Sequence, residues 1–377
     1  MKNQTFSPST DPEPRPKRHY WFLFIPALIL FGISLYLILD ENSSLSSKQI
    51  PGATGTAAVD GSIESLLYTQ LPESLAENET ESWTLDDVTF SDDKNQALLW
   101  MAANDDSTGE TLARESHLIL AIWDESIGKW QLHLEDDPDF GEVFLNSWFK
   151  DTEIAERFTV DDSKATSTGN IYGGYYLPWQ SGLTKRLTWS VGHTSCASGY
   201  CTYAFDFADG TMFELLAAKG GYVYHWRDSC VNGTSNCTNS ITLEDRTTTP
   251  WTYQIYLHLA KDSIPEALKI KGTYVQAGQK IAKVDDTGLS SGHHVHFMVV
   301  EKGTLNTCAS YCWGKSVDIT FRDVNINWDP GTQGGRPRLA DEAKWYGGVG
   351  QTKYTSGNSY LQNPPQPFHL ILFPIFR

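Results

Sequence analysis

The sequence predicts a mainly β chain: a β-rich C-terminal half, a smaller acidic α+β domain before it, and an N-terminal transmembrane helix. Three observations carry this. Tyr20 to Leu39 is a run of twenty residues without a charge, long enough to cross a bilayer as a helix. Asp60 to Lys164 carries 26 Asp and Glu against 6 Lys and Arg, net −20, whereas residues 166–377 carry 16 against 18, net +2. Surfaces this different, in a chain of 377 residues, predict two domains. From Ile171 the composition turns to Gly, Tyr, Trp, Ser and Thr in β-rich runs, which sets the domain boundary there.

Residues 1–19 contain Lys2, Arg15, Lys17 and Arg18, and the apolar run 20–39 is followed by Asp40 and Glu41. Positive charge before the span places the N-terminus in the cytoplasm and the rest outside a cell membrane. A cleaved signal peptide has a shorter apolar region, and the small-residue site near Ala57 lies far past this one, so the expectation is an uncleaved single-pass anchor. Residues 40–61, rich in Ser, Gly, Ala and Thr, read as a flexible linker.

Within the acidic domain, 62–165, Ser62 to Leu71 is a helix candidate with Ile63, Leu66, Leu67 and Leu71 on one side. Gln96 to Ala103, His117 to Trp123 and Trp130 to Glu135 read as strands of an antiparallel meander, with Phe140 to Phe158 as a helix covering it. The acidic residues are assigned to solvated turns. His117 and His133 are ordinary strand positions, and no catalytic constellation is expected here. The domain's role and any protein partner stay unassigned, and its charge argues against nucleic acid.

Six cysteines fall in three close pairs, Cys196 with Cys201, Cys230 with Cys237, and Cys308 with Cys312. An even set in an exported chain reads as disulfides, although six cysteines allow 15 pairings.

Asp285 to Met298 holds three of the ten histidines. If Val295, Phe297 and Val299 mark the buried side of a strand, period two puts His294 and His296 together on the other face. Two imidazoles on one face suggest a metal ligand beside a catalytic base; solvent-facing histidines on an edge strand are the alternative. The same period places Gln254, Tyr256 and His258 on one face, opposite Tyr253, Ile255, Leu257 and Leu259. His293 belongs to the preceding turn and His225 to a loop.

Read in order, His193, Asp206 within Phe205 to Ala208, Tyr256-Leu257-His258-Leu259, and Thr287-Gly288 through His296-Phe297 resemble the motifs of the lysostaphin-like zinc endopeptidases, which cut the peptide part of peptidoglycan. Gly272 to Val275 and Gly278 to Ile281 are similar to that family's glycine-marked strands. The resemblance covers about Gly173 to Lys302. It implies an antiparallel β catalytic domain, a duplicated hybrid motif, placed here at 171–324, with a C-terminal extension at 325–377.

The resemblance also implies one Zn2+ held by His193, Asp206 and His296, with His258 and His294 as catalytic residues. In the usual pattern the first histidine stands four residues before the aspartate, where this chain has Thr202; His193 lies thirteen residues before Asp206, similar to the staphylolysin-like subset with a longer insert there. Cys196 and Cys201 then close a short loop inside that insert. The implied activity is a membrane-anchored zinc endopeptidase on cell-wall peptides; the alternative is a non-catalytic relative that binds the wall or activates another hydrolase. A lipoyl- or biotin-type carrier needs a lysine at a hairpin tip, and Val284 to Gly288 offers none.

Overall fold

The computed structural model describes residues 63–76, 83–104, 109–159, 168–190, 193, 195–196, 200–306, 308–324, 326 and 353–360. The basic N-terminus, the apolar run 20–39 and the linker 40–61 lie outside the described residues, and so does most of the C-terminal extension. Among the described residues no helix is long and apolar enough to cross a membrane.

Helix α1 (Ile63–Ala76) precedes four strands, β1 (Trp83–Phe90), β2 (Gln96–Ala103), β3 (His117–Asp124) and β4 (Lys129–Leu134), paired antiparallel in that order. Strand β2 reads as a continuous apolar run because both faces are covered. Ala97, Leu99 and Met101 pack with Leu67 and Leu71 of α1, while Leu98 and Trp100 pack against Phe140, Phe144, Phe149 and Phe158. Strand β1 was not foreseen. Its register shifts between Leu85 and Asp87, and such a bulge breaks the alternation that marks a strand in sequence.

The single helix expected over Phe140 to Phe158 is broken into α2 (Phe140–Leu145) and two 3₁₀ turns, Trp148–Asp151 and Glu153–Phe158. Two side chains divert the backbone. Ser147 Oγ accepts the Phe149 amide at 3.0 Å, and Thr152 Oγ1 donates to the Phe149 carbonyl at 2.6 Å. Both residues are extended, with ψ of 176° and 160°, as expected where hydroxyls compete with helix hydrogen bonds.

The C-terminal half is mainly antiparallel sheet. Its strands are β5 (Tyr172–Tyr175), β6 (Thr184–Trp189), β7 (Phe205–Ala208), β8 (Glu214–Leu216), β9 (Gly221–Arg227), β10 (Ser240–Asp245) and β11 (Thr252–Leu257). After these come β12 (Tyr274–Val275), β13 (Lys280–Lys283), β14 (His294–Leu305), β15 (Gly314–Ser316), β16 (Ile319–Phe321) and β17 (Lys353–Thr355). The main sheet runs β12, β9, β10, β11, β14, β7, β6, β17, with β15 added beside β14. His225 lies in β9, paired with Thr242 of β10, so the loop expected for it is corrected to a strand. From the C-terminal extension, β17 pairs with Thr184 to Arg186.

Strand β14 lies between β11 and β7, and both its faces are buried. Val295, Phe297 and Val299 enter the main core with Tyr256, Phe205 and Phe207. Met298 and Val300 join a second cluster with Ile255, Leu257, Cys196, Cys201 and Cys312. The cysteines pair as nearest neighbours, Cys196–Cys201, Cys230–Cys237 and Cys308–Cys312, at Cα separations of 5.6, 5.5 and 4.2 Å.

Candidate metal centre

The sheet register builds the centre. Asp206 of β7 stands directly opposite His296 of β14, where same-face side chains meet. With Phe205 and Phe207 in the main core, alternation turns Asp206 to the other face, which His294 and His296 share. His296 Nδ1 lies 3.1 Å from Asp206 Oδ1.

His193 reaches the same carboxylate from the segment after β6. Its ring stacks on Trp189 at 4.2 Å, and the Arg114 guanidinium covers the Trp189 ring at 4.6 Å. His193 Nδ1–H donates to the Ser190 carbonyl at 2.7 Å, which fixes the tautomer and leaves Nε2 with its lone pair. That Nε2 is buried without a hydrogen-bond partner, 3.2 Å from Asp206 Oδ1.

His258 arrives by a route that the alternation in β11 did not predict. It was expected on the face of Tyr256, whose ring stacks on Phe297 in the main core. The strand ends at Leu257, and His258 has φ of +61°. This left-handed residue reverses the alternation, and the ring lies 4.6 Å from His294. His258 Nδ1–H donates to the Thr287 carbonyl at 2.7 Å, and His294 Nδ1–H to the Gly292 carbonyl at 2.9 Å. Each ring therefore presents Nε2 inward, His294 Nε2 lying 3.6 Å from Asp206 Oδ2. Burial holds His294 down at about 4, so it is neutral at pH 7.

All five residues singled out in the sequence thus meet at one point. A sixth, Glu115, was missed. The acidic residues of its domain were assigned to solvated turns, but Glu115 is fully buried in the segment before β3. Its amide donates to Asp206 Oδ2 at 3.0 Å, and its Oε1 lies 3.3 Å from His296 Nδ1 and 3.4 Å from His258 Nε2. Arg157 Nη1 donates to Oε1 at 2.7 Å, and Ser195 Oγ donates to Oε2. Burial alone would raise the Glu115 carboxyl; Arg157, then His296 and His258, outweigh it and hold it well below the usual range. No local sequence signal marks it: half of the acids between Asp60 and Lys164 stand apart from another acid, as Glu115 does between Arg114 and Ser116.

These donors fit a metal ion. Bonds of about 2.1 Å in a tetrahedral zinc site set neighbouring ligand atoms roughly 3.4 Å apart. Here His193 Nε2 and His296 Nδ1 lie 3.2 and 3.1 Å from Asp206 Oδ1. Two overlapping triads, His193–Asp206–His296 and Glu115–His258–His296, have their ligating atoms within 4.8 Å of one another. His293 forms a separate contact with Asp285, 3.2 Å from Nδ1 to Oδ1.

Residues 202–307 match the family described as Peptidase family M23. The match begins at Thr202, so His193 lies outside it. No curated protein matches the chain. Among solved structures, a variant catalytic domain of the prophage-encoded M23 protein EnpA from Enterococcus faecalis is 19% identical, covering 37% of this chain and 92% of that one, with a TM-score of 0.26. The catalytic domain of the antimicrobial peptidase lysostaphin from Staphylococcus simulans is 21% identical over 37% and 88%, TM-score 0.24. A zinc-containing peptidase from Vibrio cholerae is 18% identical over 55% and 53%, also with a TM-score of 0.24.

Proposed function

Because this chain carries a lysostaphin-like domain of Peptidase family M23, we propose that it is a zinc endopeptidase that hydrolyses peptide bonds in the peptide part of peptidoglycan. The observation that carries the reading is the buried, partnerless His193 Nε2 converging with His296 Nδ1 on Asp206 Oδ1, at 3.2 and 3.1 Å. Imidazole, imidazole and carboxylate make the donor set of a catalytic zinc site with a position left for the reaction.

In this reading His193, Asp206 and His296 hold the ion. When bound, it would supply Lewis acidity at the scissile carbonyl and acidify a water beside it. The proton work falls to His258 and His294. Each has Nδ1–H committed to a backbone carbonyl, so Nε2 is the atom that takes a proton and later returns it to the leaving amine. Asp206 serves twice, Oδ1 toward the ligand histidines and Oδ2 toward His294 and the Glu115 amide.

The test is mass analysis of fragments released from defined peptidoglycans by the zinc-loaded full chain. The reading expects a new amine and carboxyl across a peptide bond, glycan strands intact, and loss of this release in His296→Ala. Release of glycan fragments, or peptide cleavage that persists in His296→Ala, would overturn it. Wall binding without cleavage, by chain and variants alike, would favour the binding or hydrolase-activating alternative. We also propose that the run 20–39 anchors the chain with the peptidase domain outside the membrane; survival of that domain when intact cells are shaved with protease would reject this.

A further inference from the structure

We propose that Asp285, Asp286 and His293 form a second site for a divalent transition-metal ion, apart from the centre of His193, Asp206 and His296. It shares no ligand with that centre, so it stands or falls without the peptidase reading.

The Asp285 carboxylate is the group that asks for a ligand. The residue is wholly inaccessible, and neither Oδ1 nor Oδ2 has a hydrogen-bond partner. A charge taken out of water persists only where something pairs with it. Among the described residues no lysine or arginine pairs with Asp285 or Asp286; their neighbour is His293, whose Nδ1 lies 3.2 Å from Asp285 Oδ1 and 3.8 Å from Asp286 Oδ1. The shorter contact is not a hydrogen bond, because His293 Nδ1 is also buried without a partner; at that distance only a misdirected N–H prevents one. His193 Nε2 stands in the same relation to Asp206 Oδ1, also at 3.2 Å. One donor atom from each of Asp285, Asp286 and His293 lies within 4.8 Å of the others, and the two measured separations bracket the roughly 3.4 Å between neighbouring donors of a tetrahedral zinc site.

The donors are held in place by backbone and turn contacts. The Asp285 amide donates to the His258 carbonyl at 2.7 Å, and its carbonyl accepts the His294 amide at 3.2 Å. Between them the turn is pinned by the Gly288 amide, which donates to the Thr234 carbonyl at 2.8 Å, and by Thr287 Oγ1, which donates to the Leu259 carbonyl at 2.9 Å. Gly288 has φ of +87°, and a Cβ there would stand 2.1 Å from Thr238 Oγ1, so the turn requires glycine. The two ends of one pinned turn thus bring two carboxylates and an imidazole together, and an ion among them would clamp those ends beside the Asp285–His294 bridge.

The donor types select the ion. One imidazole with two carboxylates suits Zn2+ and its transition-metal neighbours, whereas Ca2+ and Mg2+ take oxygen ligands. The His293 and Asp286 side chains are 33% and 31% exposed, so the ion enters from solvent and returns to it. This site is therefore the weaker of the two, filled by free metal and emptied by dialysis.

The experiment is a calorimetric titration of the full chain, loaded with zinc and then dialysed, using ZnCl2 and, in separate runs, CaCl2 and MgCl2. The wild type is expected to take up one further zinc, and neither calcium nor magnesium at the same concentrations. Asp285→Asn, which keeps the side-chain shape, should weaken that uptake at least about tenfold, the low end of what losing even an outer-shell partner costs. His293→Ala should do the same, and both variants should keep the zinc that survives dialysis. His296→Ala should lose the dialysis-resistant zinc and keep the further uptake. Added zinc should raise the melting temperature of the wild type and of His296→Ala, since an ion that binds the folded chain stabilises it, but not that of Asp285→Asn. Should Asp285→Asn fail to fold, His293→Ala, at a partly exposed ring, carries the same test.

No further uptake by the wild type would overturn the proposal and make the Asp285–His293 contact a plain ion pair. So would uptake that Asp285→Asn and His293→Ala leave unchanged, which would place the ion elsewhere, and so would calcium bound as tightly as zinc. If no zinc survives dialysis in the wild type while the further uptake and its loss in His293→Ala remain, the peptidase reading falls and this site stands.

Discussion

Asp206 and His296, on the neighbouring strands β7 and β14, are register partners whose side chains meet at 3.1 Å, Oδ1 to Nδ1. That pairing is fixed by two short stretches of sheet; His294 shares β14 with His296, and His193, His258 and Glu115 are gathered around the pair from three other places in the chain.

Ligand and proton-transfer histidines separate under mutation. His258→Ala and His294→Ala are expected to keep near-stoichiometric zinc while peptide cleavage falls about 10²- to 10⁴-fold, the usual worth of a positioned acid or base. Cleavage rates beside metal content check this; loss of zinc from either variant would make that histidine a ligand.

Arg157 neutralises a carboxylate that has no access to water. Arg157→Ala leaves Glu115 buried beside Asp206 and is expected to cost about 3–5 kcal/mol, the usual effect of breaking a buried pair from one side. Denaturant titration of the metal-free chain measures it, and the double variant with Glu115→Gln should recover part of the loss.

Burial pushes Glu135 from 4.5 up to about 8, and burial pulls its neighbour His117 from 6.5 down to about 4. A carboxyl raised in the folded state holds its proton there, so its contribution is fully present below pH 4.5 and is lost as pH climbs through 8. His117 works in the opposite direction, but only between pH 4 and 6.5. Between pH 6.5 and 8.5 the wild type should therefore lose thermal stability relative to Glu135→Gln. Parallel melting curves over that range would contradict the assignment.

Phe297 is wholly buried, with Tyr175, Tyr256 and Phe321 rings at 6.2, 4.9 and 6.3 Å. It supports the strand that carries both site histidines. Phe297→Ala is expected to cost about 3–5 kcal/mol by equilibrium unfolding, as for phenylalanine removed from a packed core.

What the sequence revealed was local. His294 and His296 were legible because period two acts within one strand, and the meander of β2 to β4 because its turns and apolar runs are contiguous. His258 was placed on the wrong face because one left-handed residue reverses an alternation. The helix over Phe140 to Phe158 was overextended because Ser147 and Thr152 act through hydroxyl bonds that a periodicity cannot register. Glu115 was beyond local reading: it meets Asp206 across a separation of 91 residues, and its burial depends on Arg157 and Ser195 arriving with it.

The most direct measurement is zinc per chain, by elemental analysis after dialysis, for the wild type, His193→Ala, Asp206→Ala and His296→Ala. The account predicts about one zinc in the wild type, since catalytic sites hold a single ion by three protein ligands, and little in each variant. A wild type without zinc, or a His193→Ala chain that keeps its full complement, would contradict the metal centre described here.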